Sequence, residues 1–349
     1  MFAADDWLRL ACCPGVGCAA AGRLLREELA PEGVAQLRSH VRGAVGTEEV
    51  AALRRACARA GVAVLTPADP AWAPRLCVLP DPPPALYVRG DPGLLQRAQL
   101  AVVGARRASR RGLADARWLA EGLVRAGLCV TSGLALGVDG AAHRAALDAG
   151  GATLAVLGAG VDVPYPRIHA GLAEAVAARG LLVSEWPPGT RPARHHFPRR
   201  NRLISGLSLG VIVVEAGERS GSLITARLAA EQGREVFALP ATARDPGGAG
   251  CHRLIRDGAV LVRDLDDVLA ELPQGLRPRP SASPPAAPAA GPPADPVLVE
   301  LDPEGATVEA LVVRTGLDVA ALAARLTELE LDGRVARQGE RIVPLLPAS

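Results

Sequence analysis

Seven short apolar runs, separated by segments with helical periodicity, constrain the fold of this 349-residue chain more than any other feature. The runs carry no charged residue, which is typical of strands buried on both faces of a parallel sheet. Helical patterns lie between most of them, as at 113–126 and 222–232. The chain therefore predicts a doubly wound α/β fold, an extended Rossmann-like parallel sheet, over about 66–272. The predicted strands are 100–103, 128–131, 153–157, 181–184, 211–214, 236–239 and 260–262.

The segments on either side of this sheet differ from it in pattern. Residues 1–65 have leucines at helical spacing and predict a helical domain. The proline-rich stretch 66–95 predicts an extended lead-in to the sheet. Residues 273–296 hold nine prolines and predict a semi-extended linker. Residues 297–349 predict a small winged-helix domain, with helices at 307–314 and 318–331 and a β-wing at 333–343.

Composition excludes several chemistries. All 39 basic residues are arginine, so a Walker A loop and a pyridoxal Schiff base, which both need lysine, are excluded. The net charge of +2 means that any basic binding surface must be local. We expect no cofactor.

The cysteines and the apolar runs bear on where the chain acts. The seven cysteines form no C-x-x-C pair, which indicates a reducing compartment. The first residues are acidic, unlike a signal peptide, and no apolar run approaches the ~18 residues of a membrane span. We expect a cytoplasmic protein without a membrane span.

A basic turn follows the first predicted strand, at 104–112. Gly104 permits a tight turn, and Ser109 can cap the next helix. Four arginines, among them Arg106 and Arg107, lie beside a helix N-terminus, which attracts anions. This segment is either a capped helix start with solvated arginines or an anion-binding turn.

A glycine-rich segment that begins with Ser132 and Gly133 follows the second strand. Its glycines let a bound group approach the backbone. Asp139 and His143 lie four residues apart and so share a helix face, but a metal site needs at least a third ligand. We interpret Asp139 as a helix-start residue with His143 as its neighbour, and we expect no metal site.

The segment after the third strand begins like a dinucleotide fingerprint, with Gly158 and Gly160. Val163 stands where the third glycine belongs, and no helix start follows directly. We therefore predict no NAD binding here.

The segment 191–202 is the most informative, with five arginines, two histidines, one aromatic and no acid. Arginines can contact phosphates while Phe197 stacks on a base, which suits a single nucleic-acid strand. The alternative is an exposed basic loop before a helix at Leu203, with Arg199 or Arg202 paired internally.

Polar residues also follow the fifth strand. Ser220, Gly221 and Ser222 at a helix start form either a phosphate nest or ordinary helix capping. Glu215 is either a general base or the partner of an arginine, and we favour the arginine.

Together these segments resemble the DprA/Smf family of DNA-processing proteins, in order and in spacing, over about 100–262. The resemblance is carried by Val103-Gly104-Ala105-Arg106, by the run Ser132 to Asp139, by Phe-Pro-Arg-Arg-Asn-Arg-Leu-Ile-Ser-Gly-Leu-Ser at 197–208, by Val-Val-Glu-Ala at 213–216 and by Ser-Gly-Ser-Leu-Ile-Thr-Ala at 220–226.

The resemblance implies an extended Rossmann-fold homodimer that binds incoming single-stranded DNA during natural transformation and loads the RecA recombinase onto it. The family's DNA contacts fall on Arg106, Arg194 and Phe197. Ala105 stands where the family usually has Ser or Thr, so one hydroxyl contact to phosphate is missing. The DNA-binding residues expected here are Gly104, Arg106, Arg107, Ser132, Gly133, Arg194, Phe197, Arg199, Arg200, Asn201, Arg202, Ser220, Gly221 and Ser222.

The terminal domains resemble modules found in members of this family. Pro14-Gly15-Val16-Gly17 resembles the hairpin of SAM-like or helix-hairpin-helix domains, which either offers backbone N–H groups to phosphate or only packs. The winged helix has one arginine against three acids in its second helix, at 318–331. We expect it to have a protein-contact or auxiliary role.

Two other functions stay open. A Rossmann-like nucleotide phosphoribohydrolase could use Glu215, Asp139 and His143, although such enzymes usually carry a P-G-G-x-G-T loop that is absent from 217–222. A duplex-DNA regulator would act through the winged helix. Because no nucleophile–base–orienter set is present, we expect a protein that is not an enzyme.

Overall fold

The computed structural model describes residues 2–13, 16–273, 295–301, 305–331, 334–339 and 341–344. The chain divides into two compact units, Met1–Arg279 and Pro280–Ser349. Nearly all of the predicted linker, at 274–294, lies outside the described residues. Among the helices that are described, none combines the length and the apolar character that crossing a membrane requires.

Four helices open the first unit, as the periodicity of 1–65 predicts. They are α1 (Ala4–Cys12), α2 (Gly17–Leu25), α3 (Pro31–Ala44) and α4 (Thr47–Arg59). Proline at the first position of α3 suits a helix start, since that N–H has no intrahelical partner. Pro14 and Gly15 of the predicted hairpin lie outside the described residues.

A nine-stranded sheet forms the rest of the first unit. Each of the seven predicted apolar runs is a strand in it, and the central strands are buried on both faces. The strands are β1 (Ala63–Leu65), β2 (Leu86–Gly90), β3 (Gln99–Val103), β4 (Cys129–Ser132), β5 (Thr153–Val156), β6 (Leu181–Ser184), β7 (Gly210–Val213), β8 (Glu235–Ala238) and β9 (Val260–Leu261).

The order of the strands is β1-β2-β6-β5-β4-β3-β7-β8-β9. Strands β3 to β9 run parallel, whereas β2 pairs antiparallel with β6 and β1 antiparallel with β2. The chain starts the parallel sheet at β3, adds β4 to β6 on one side and then β7 to β9 on the other. The carboxyl ends of β3 and β7 therefore flank the topological switch point, where open α/β sheets bind ligands.

The prediction that 66–95 is an extended lead-in was wrong in part. The segment contains the short helix α5 (Pro74–Cys77) and the strand β2, which extends the sheet beyond the parallel strands. Neighbouring prolines at 80 and 82–84 hid the strand signal, because proline within an apolar run argues against a strand.

Helices cover both faces of the sheet. One face packs on α6 (Arg110–Arg125), α7 (Val138–Asp148) and α12 (Leu265–Ala270), and the other on α9 (His196–Leu207), α10 (Ser222–Glu231) and α11 (Ala249–Arg256). Helix α8 (Ala170–Arg179) packs with α4 and the β2–β6 region. Alternate residues of β3 show the division, since Leu100 faces the first layer and Ala101 the second.

The second unit has the helices and wing predicted for a winged helix. Its helices are α13 (Pro296–Val299), α14 (Val308–Thr315) and α15 (Val319–Leu331), and its sheet has β10 (Ala306–Thr307), β11 (Val335–Gln338) and β12 (Arg341–Pro344) in the order β10-β12-β11. Thr307 caps α14 through its side chain, which accepts a hydrogen bond from the Ala310 N–H. The described part of this unit encloses its own apolar core.

One glycine holds the turn after β3 in place. Gly137, ahead of α7, has a φ of +76°, and a Cβ there would collide with the Ala105 carbonyl oxygen. The next residue, Val138, donates its N–H to that oxygen at 3.2 Å. The turn at 104–106 therefore packs against a loop that tolerates no side chain at Gly137.

We predict that Gly137→Ala lowers the free energy of unfolding by about 2–5 kcal/mol, from left-handed strain and overpacking together. Gly127→Ala is the matched control, because Gly127 has a φ of +78° but open space around its Cβ position. It should cost about 1–2 kcal/mol. Urea unfolding measures both, and equal losses would contradict a close packing of the two loops.

Candidate nucleic-acid interface

An arginine and two aromatic rings meet at the carboxyl edge of the sheet. The Cζ atom of Arg106 lies 5.6 Å from the centroid of the Phe197 ring, within cation–π range. The Tyr165 ring centroid is 5.5 Å from that of Phe197, at an interplanar angle of 41°. Tyr165 is 45% exposed. We call Arg106, Phe197 and Tyr165 the aromatic platform.

Phe197 is placed by a helix that begins earlier than the sequence indicates. The expected loop up to Leu203 is wrong, since α9 starts at His196. The Phe197 ring rests on Gly158, where a Cβ would approach the ring to 3.0 Å. The His196 ring donates from Nδ1 to the Gly158 carbonyl oxygen at 3.0 Å and stacks on Trp186 at 4.4 Å. The Phe197 ring is therefore held from below and stays half-buried.

Exposed arginines surround the aromatic platform. Arg106 and Arg107 lie on the turn after β3, and Arg194 lies on the loop before α9. None of the three forms an ion pair with another described residue. Uncompensated guanidinium groups next to accessible rings give this edge the charge and the stacking surface that a nucleic-acid strand requires.

Arg200 is not part of that surface, contrary to the sequence expectation. It is 4% exposed, and its Nη1 donates to the carbonyl oxygens of Gly133, at 2.8 Å, and Val156. Burial lowers the pKa of its guanidinium to about 10, and the neighbouring Asp139 carboxylate opposes that shift. Arg200 therefore stays charged at neutral pH. Since its donors bond to carbonyl oxygens inside the protein, the side chain ties α9 to the carboxyl ends of β4 and β5.

Arg202 is also internal, and its expected DNA contact is wrong for the same reason. The side chain is 5% exposed and bridges Glu185 at 2.7 Å and Asp81 at 2.8 Å. Burial acts to lower the pKa of Arg202, but the two carboxylates outweigh it and raise the value. Arg199 pairs with Glu185 at 3.3 Å yet remains 53% exposed, so the internal pairing that the sequence left open holds for both arginines.

Ser132 and Gly133 shape the site from below, and the prediction that they contact DNA conflicts with their burial. The Ser132 hydroxyl donates to the Val102 carbonyl oxygen at 2.6 Å, and a Cβ at Gly133 would strike the Arg200 guanidinium. Asn201, half-buried, accepts a hydrogen bond from Arg200 Nε at 3.2 Å. These residues position Arg200.

Asp139 and His143 are used internally. The Asp139 carboxylate accepts the N–H groups of Gly133 and Ala135 at 3.1 and 3.3 Å, as expected for a helix-start residue. Burial raises its pKa, against the charge of Arg200. His143 lies 2.7 Å from the Thr153 hydroxyl, and burial lowers its pKa to about 3. Within the described ranges, three or more His, Cys, Asp or Glu side chains nowhere gather as metal ligands.

Glu215 occupies the helix N-terminus at the switch point. Its carboxylate accepts the Ser109 N–H at 3.0 Å and the Ser109 hydroxyl at 2.5 Å, so the expected arginine partner is wrong. Gly104, on the same turn, is also closely packed, because a Cβ there would lie 2.6 Å from the Val138 side chain. A carboxylate of the protein itself therefore already occupies part of the anion-attracting start of α6.

The Ser220-Gly221-Ser222 segment follows β7 and leads into α10. The Ser220 and Ser222 hydroxyls are 2.7 Å apart, and the Ser222 N–H points to the Ser220 hydroxyl at 3.4 Å. Ser222 is buried and Gly221 exposed. These bonds are of the capping type, and a phosphate contact through Gly221 stays a prediction.

Sequence reasoning missed Tyr165. Aromatic residues make up only 3% of the chain, and Val-Pro-Tyr-Pro at 163–166 lies in the loop after the third strand of the parallel sheet. An aromatic residue in a proline-bounded loop at the ligand-binding edge was a usable signal, because burial does not explain it.

Comparison with known proteins places the chain in a family. Residues 63–273 match the sequence profile of DNA recombination-mediator protein A, and residues 281–341 match the DprA winged helix domain. The chain is 45% identical to Protein Smf of Escherichia coli over 279 residues, or 78% of this chain and 75% of that protein. It is 48% identical to the DNA processing protein DprA of Streptococcus pneumoniae over 191 residues, or 55% and 67%.

Solved structures agree. The X-ray structure of DprA from Streptococcus pneumoniae matches with a TM-score of 0.62 and 37% identity, over 72% of this chain and 87% of that one. A structure that describes the single-stranded DNA binding mode of DprA from Helicobacter pylori matches with a TM-score of 0.54 and 31% identity, over 59% and 93%. The fold and the matched motifs thus define a Rossmann-like recombination mediator with a winged helix. The chain belongs to the DprA/Smf family.

We predict that Arg200→Met destabilises the protein by about 3–5 kcal/mol, because it leaves the buried carbonyl oxygens of Gly133 and Val156 without their donor and removes the positive charge near the buried Asp139 carboxylate. Arg199→Met, one residue away on the exposed side, should cost less than about 1 kcal/mol. Chemical denaturation measures both changes. Similar losses for the two variants would show that Arg200 does not hold the site together.

Proposed function

We propose that this protein binds single-stranded DNA across the aromatic platform and its surrounding arginines and, as a recombination mediator in natural transformation, helps to load RecA onto the strand. The contact between Arg106, Phe197 and Tyr165 carries the proposal. It puts two accessible rings and an unpaired guanidinium on one edge, where a base can stack while its phosphate meets an arginine.

The arrangement favours a single strand over a duplex. Stacking on Phe197 or Tyr165 requires a base with a free face, which a paired and stacked duplex does not present. The platform lies on the turn after β3, the loop after β5 and the start of α9, and α9 packs against the sheet through Leu203, Ile204 and Leu207, so it is not free to enter a major groove. The Helicobacter pylori relative, whose structure concerns the binding of single-stranded DNA, supports the same ligand class.

Assembly with a second copy and with RecA is proposed from the family. A homodimer would double the number of arginine clusters on one strand and raise the apparent affinity through effective concentration. RecA would receive a strand already held in single-stranded form. We place this activity in the cytoplasm, where incoming DNA meets the recombinase.

A nucleotide hydrolase is the weaker proposal. Its expected general base, Glu215, is held by the N–H and the hydroxyl of Ser109 at the start of α6. Asp139 and His143 are buried beneath the surface rather than open to a substrate. These placements support a protein that acts by binding.

The winged helix is proposed as an auxiliary or protein-contact module. Arg325, the arginine of its α15, is paired with Asp295 and Glu328. Its charge is therefore not available for a DNA phosphate. A duplex-reading role would need basic side chains on that helix.

We predict that the full-length protein binds an oligo-dT strand more tightly than a duplex of equal length, and that the affinity falls steeply with salt. Fluorescence anisotropy at two salt concentrations measures both. The double variant Arg106→Gln/Arg194→Gln should lose most of the binding. Arg125→Gln is the control, since Arg125 lies at the far end of α6 and pairs with Glu121.

Equal or tighter binding of the duplex would overturn the proposed ligand. Unchanged affinity of the Arg106/Arg194 double variant would overturn the proposed surface, because a strand that binds elsewhere does not depend on this edge.

We predict that Phe197→Leu weakens single-strand binding by about 1–3 kcal/mol and leaves the salt slope unchanged, because it removes a stacking ring but no charge. Arg194→Gln should instead reduce the slope of log K against log salt by about 0.7, the value for one phosphate on a single strand.

Leucine keeps an apolar group over Gly158, so the melting temperature of Phe197→Leu should stay near that of the wild type. A thermal melt alongside each titration checks this. Wild-type affinity together with a wild-type melt would exclude stacking by Phe197.

A further inference from the structure

Two arginines meet at the edge of the sheet opposite the aromatic platform. Arg234 directly precedes β8, and Arg75 lies in α5. Arg97 lies two residues before β3, and its backbone carbonyl oxygen accepts a hydrogen bond from Arg75. Because β3 and β8 are parallel, their amino ends share one edge, and the turn that carries Arg106 follows the other end of β3. We call Arg75 and Arg234 the amino-edge pair.

The amino-edge pair has weak partners only. Arg234 Nη2 donates to the Arg75 carbonyl oxygen at 3.5 Å, and Arg75 Nη1 donates to the Arg97 carbonyl oxygen at 3.4 Å. Each guanidinium carries five N–H donors. The buried Nε of Arg234 has no hydrogen-bond partner. Across the described residues, neither arginine forms an ion pair with a carboxylate.

This arrangement is electrostatically unfavourable as it stands. Burial lowers the pKa of both guanidinium groups, and the charge of Arg75 lowers that of Arg234 further. Arg202, which is also buried in this unit, has its charge compensated by Glu185 and Asp81. Two half-buried like charges without a counterion favour the binding of an anion, since it would supply the missing charge and hydrogen-bond acceptors.

We propose that the amino-edge pair is a second anion site that binds a phosphate group. Phosphate suits it because its oxygens accept several N–H donors at once and match the planar fork of a guanidinium group. The site takes either a phosphodiester of a strand that continues past the aromatic platform or a free phosphate. The proposal does not depend on the platform's own ligand.

Thermal unfolding of the full chain in phosphate and in chloride at equal ionic strength tests the site. Phosphate at about five times its Kd should raise the Tm of the wild type by about 2–4 °C. Arg75→Gln/Arg234→Gln should abolish this rise, while its Tm in chloride stays level or increases, because one repulsion is gone. Arg227→Gln, which removes an exposed arginine paired with Glu231 on α10, should keep the rise.

The double variant Arg106→Gln/Arg194→Gln separates this site from the aromatic platform. It should keep the phosphate effect, so loss of DNA binding in that variant and loss of the phosphate effect in the other are independent results. If Arg75→Gln/Arg234→Gln does not fold, Arg75→Lys in its place should reduce the rise, because lysine keeps the charge but not the fork of donors.

Oligo-dT of about 10 and about 40 nucleotides distinguishes the two sources of phosphate. A several-fold loss of affinity for the long strand alone in Arg75→Gln/Arg234→Gln assigns a phosphodiester, and unchanged affinity for both with a lost phosphate effect assigns free phosphate. The proposal is overturned if phosphate raises the Tm of the wild type no more than chloride does and Arg75→Gln/Arg234→Gln binds both strands as tightly as the wild type. A rise that persists in Arg75→Gln/Arg234→Gln also overturns it.

Discussion

The charged guanidinium of Arg200, buried beneath the carboxyl edge of the sheet, is the interaction on which the site depends. It contacts the carbonyl oxygens of Gly133 and Val156, which end β4 and β5, and it faces the Asp139 carboxylate that begins α7. One side chain of α9 thus fixes the loops after two neighbouring strands. Because α9 also carries Phe197 in its first turn, the accessible ring is held by a buried charge three residues away.

At the same edge, the turn that carries Arg106 lies beside the switch point, where α/β sheets usually bind ligands. At the switch point between β3 and β7, Glu215 caps α6 through Ser109, and the Gly104 turn is packed against Val138. The protein's own carboxylate thus occupies part of the crevice. The exposed charge and rings extend from this turn toward β5, where Tyr165 and Phe197 meet Arg106.

Arginine has three uses in this chain, and they depend on what surrounds each guanidinium. Arg202 is buried and paired with two acids, and Arg200 is buried and donates to carbonyl oxygens. Arg106 and Arg194 are exposed without acidic partners. With no lysine in the chain, residue type does not separate these uses, since every positive side chain has the same head group and reach.

The sequence by itself determined the seven parallel strands, the helices between them, the winged helix and the family, because charge-free runs and glycine-bearing motifs are local patterns. It also located the two basic segments that follow β3 and β6. It could not identify β2, whose signal neighbouring prolines hide, nor the helical start at His196. Only the tertiary structure decided which of Arg199, Arg200 and Arg202 are internal, brought Tyr165 to Phe197 and assigned Glu215 to Ser109. The physical reason is that burial and pairing depend on residues distant in sequence, and a run such as Arg199-Arg200-Asn201-Arg202 has the same local pattern whether its charges face solvent or the core.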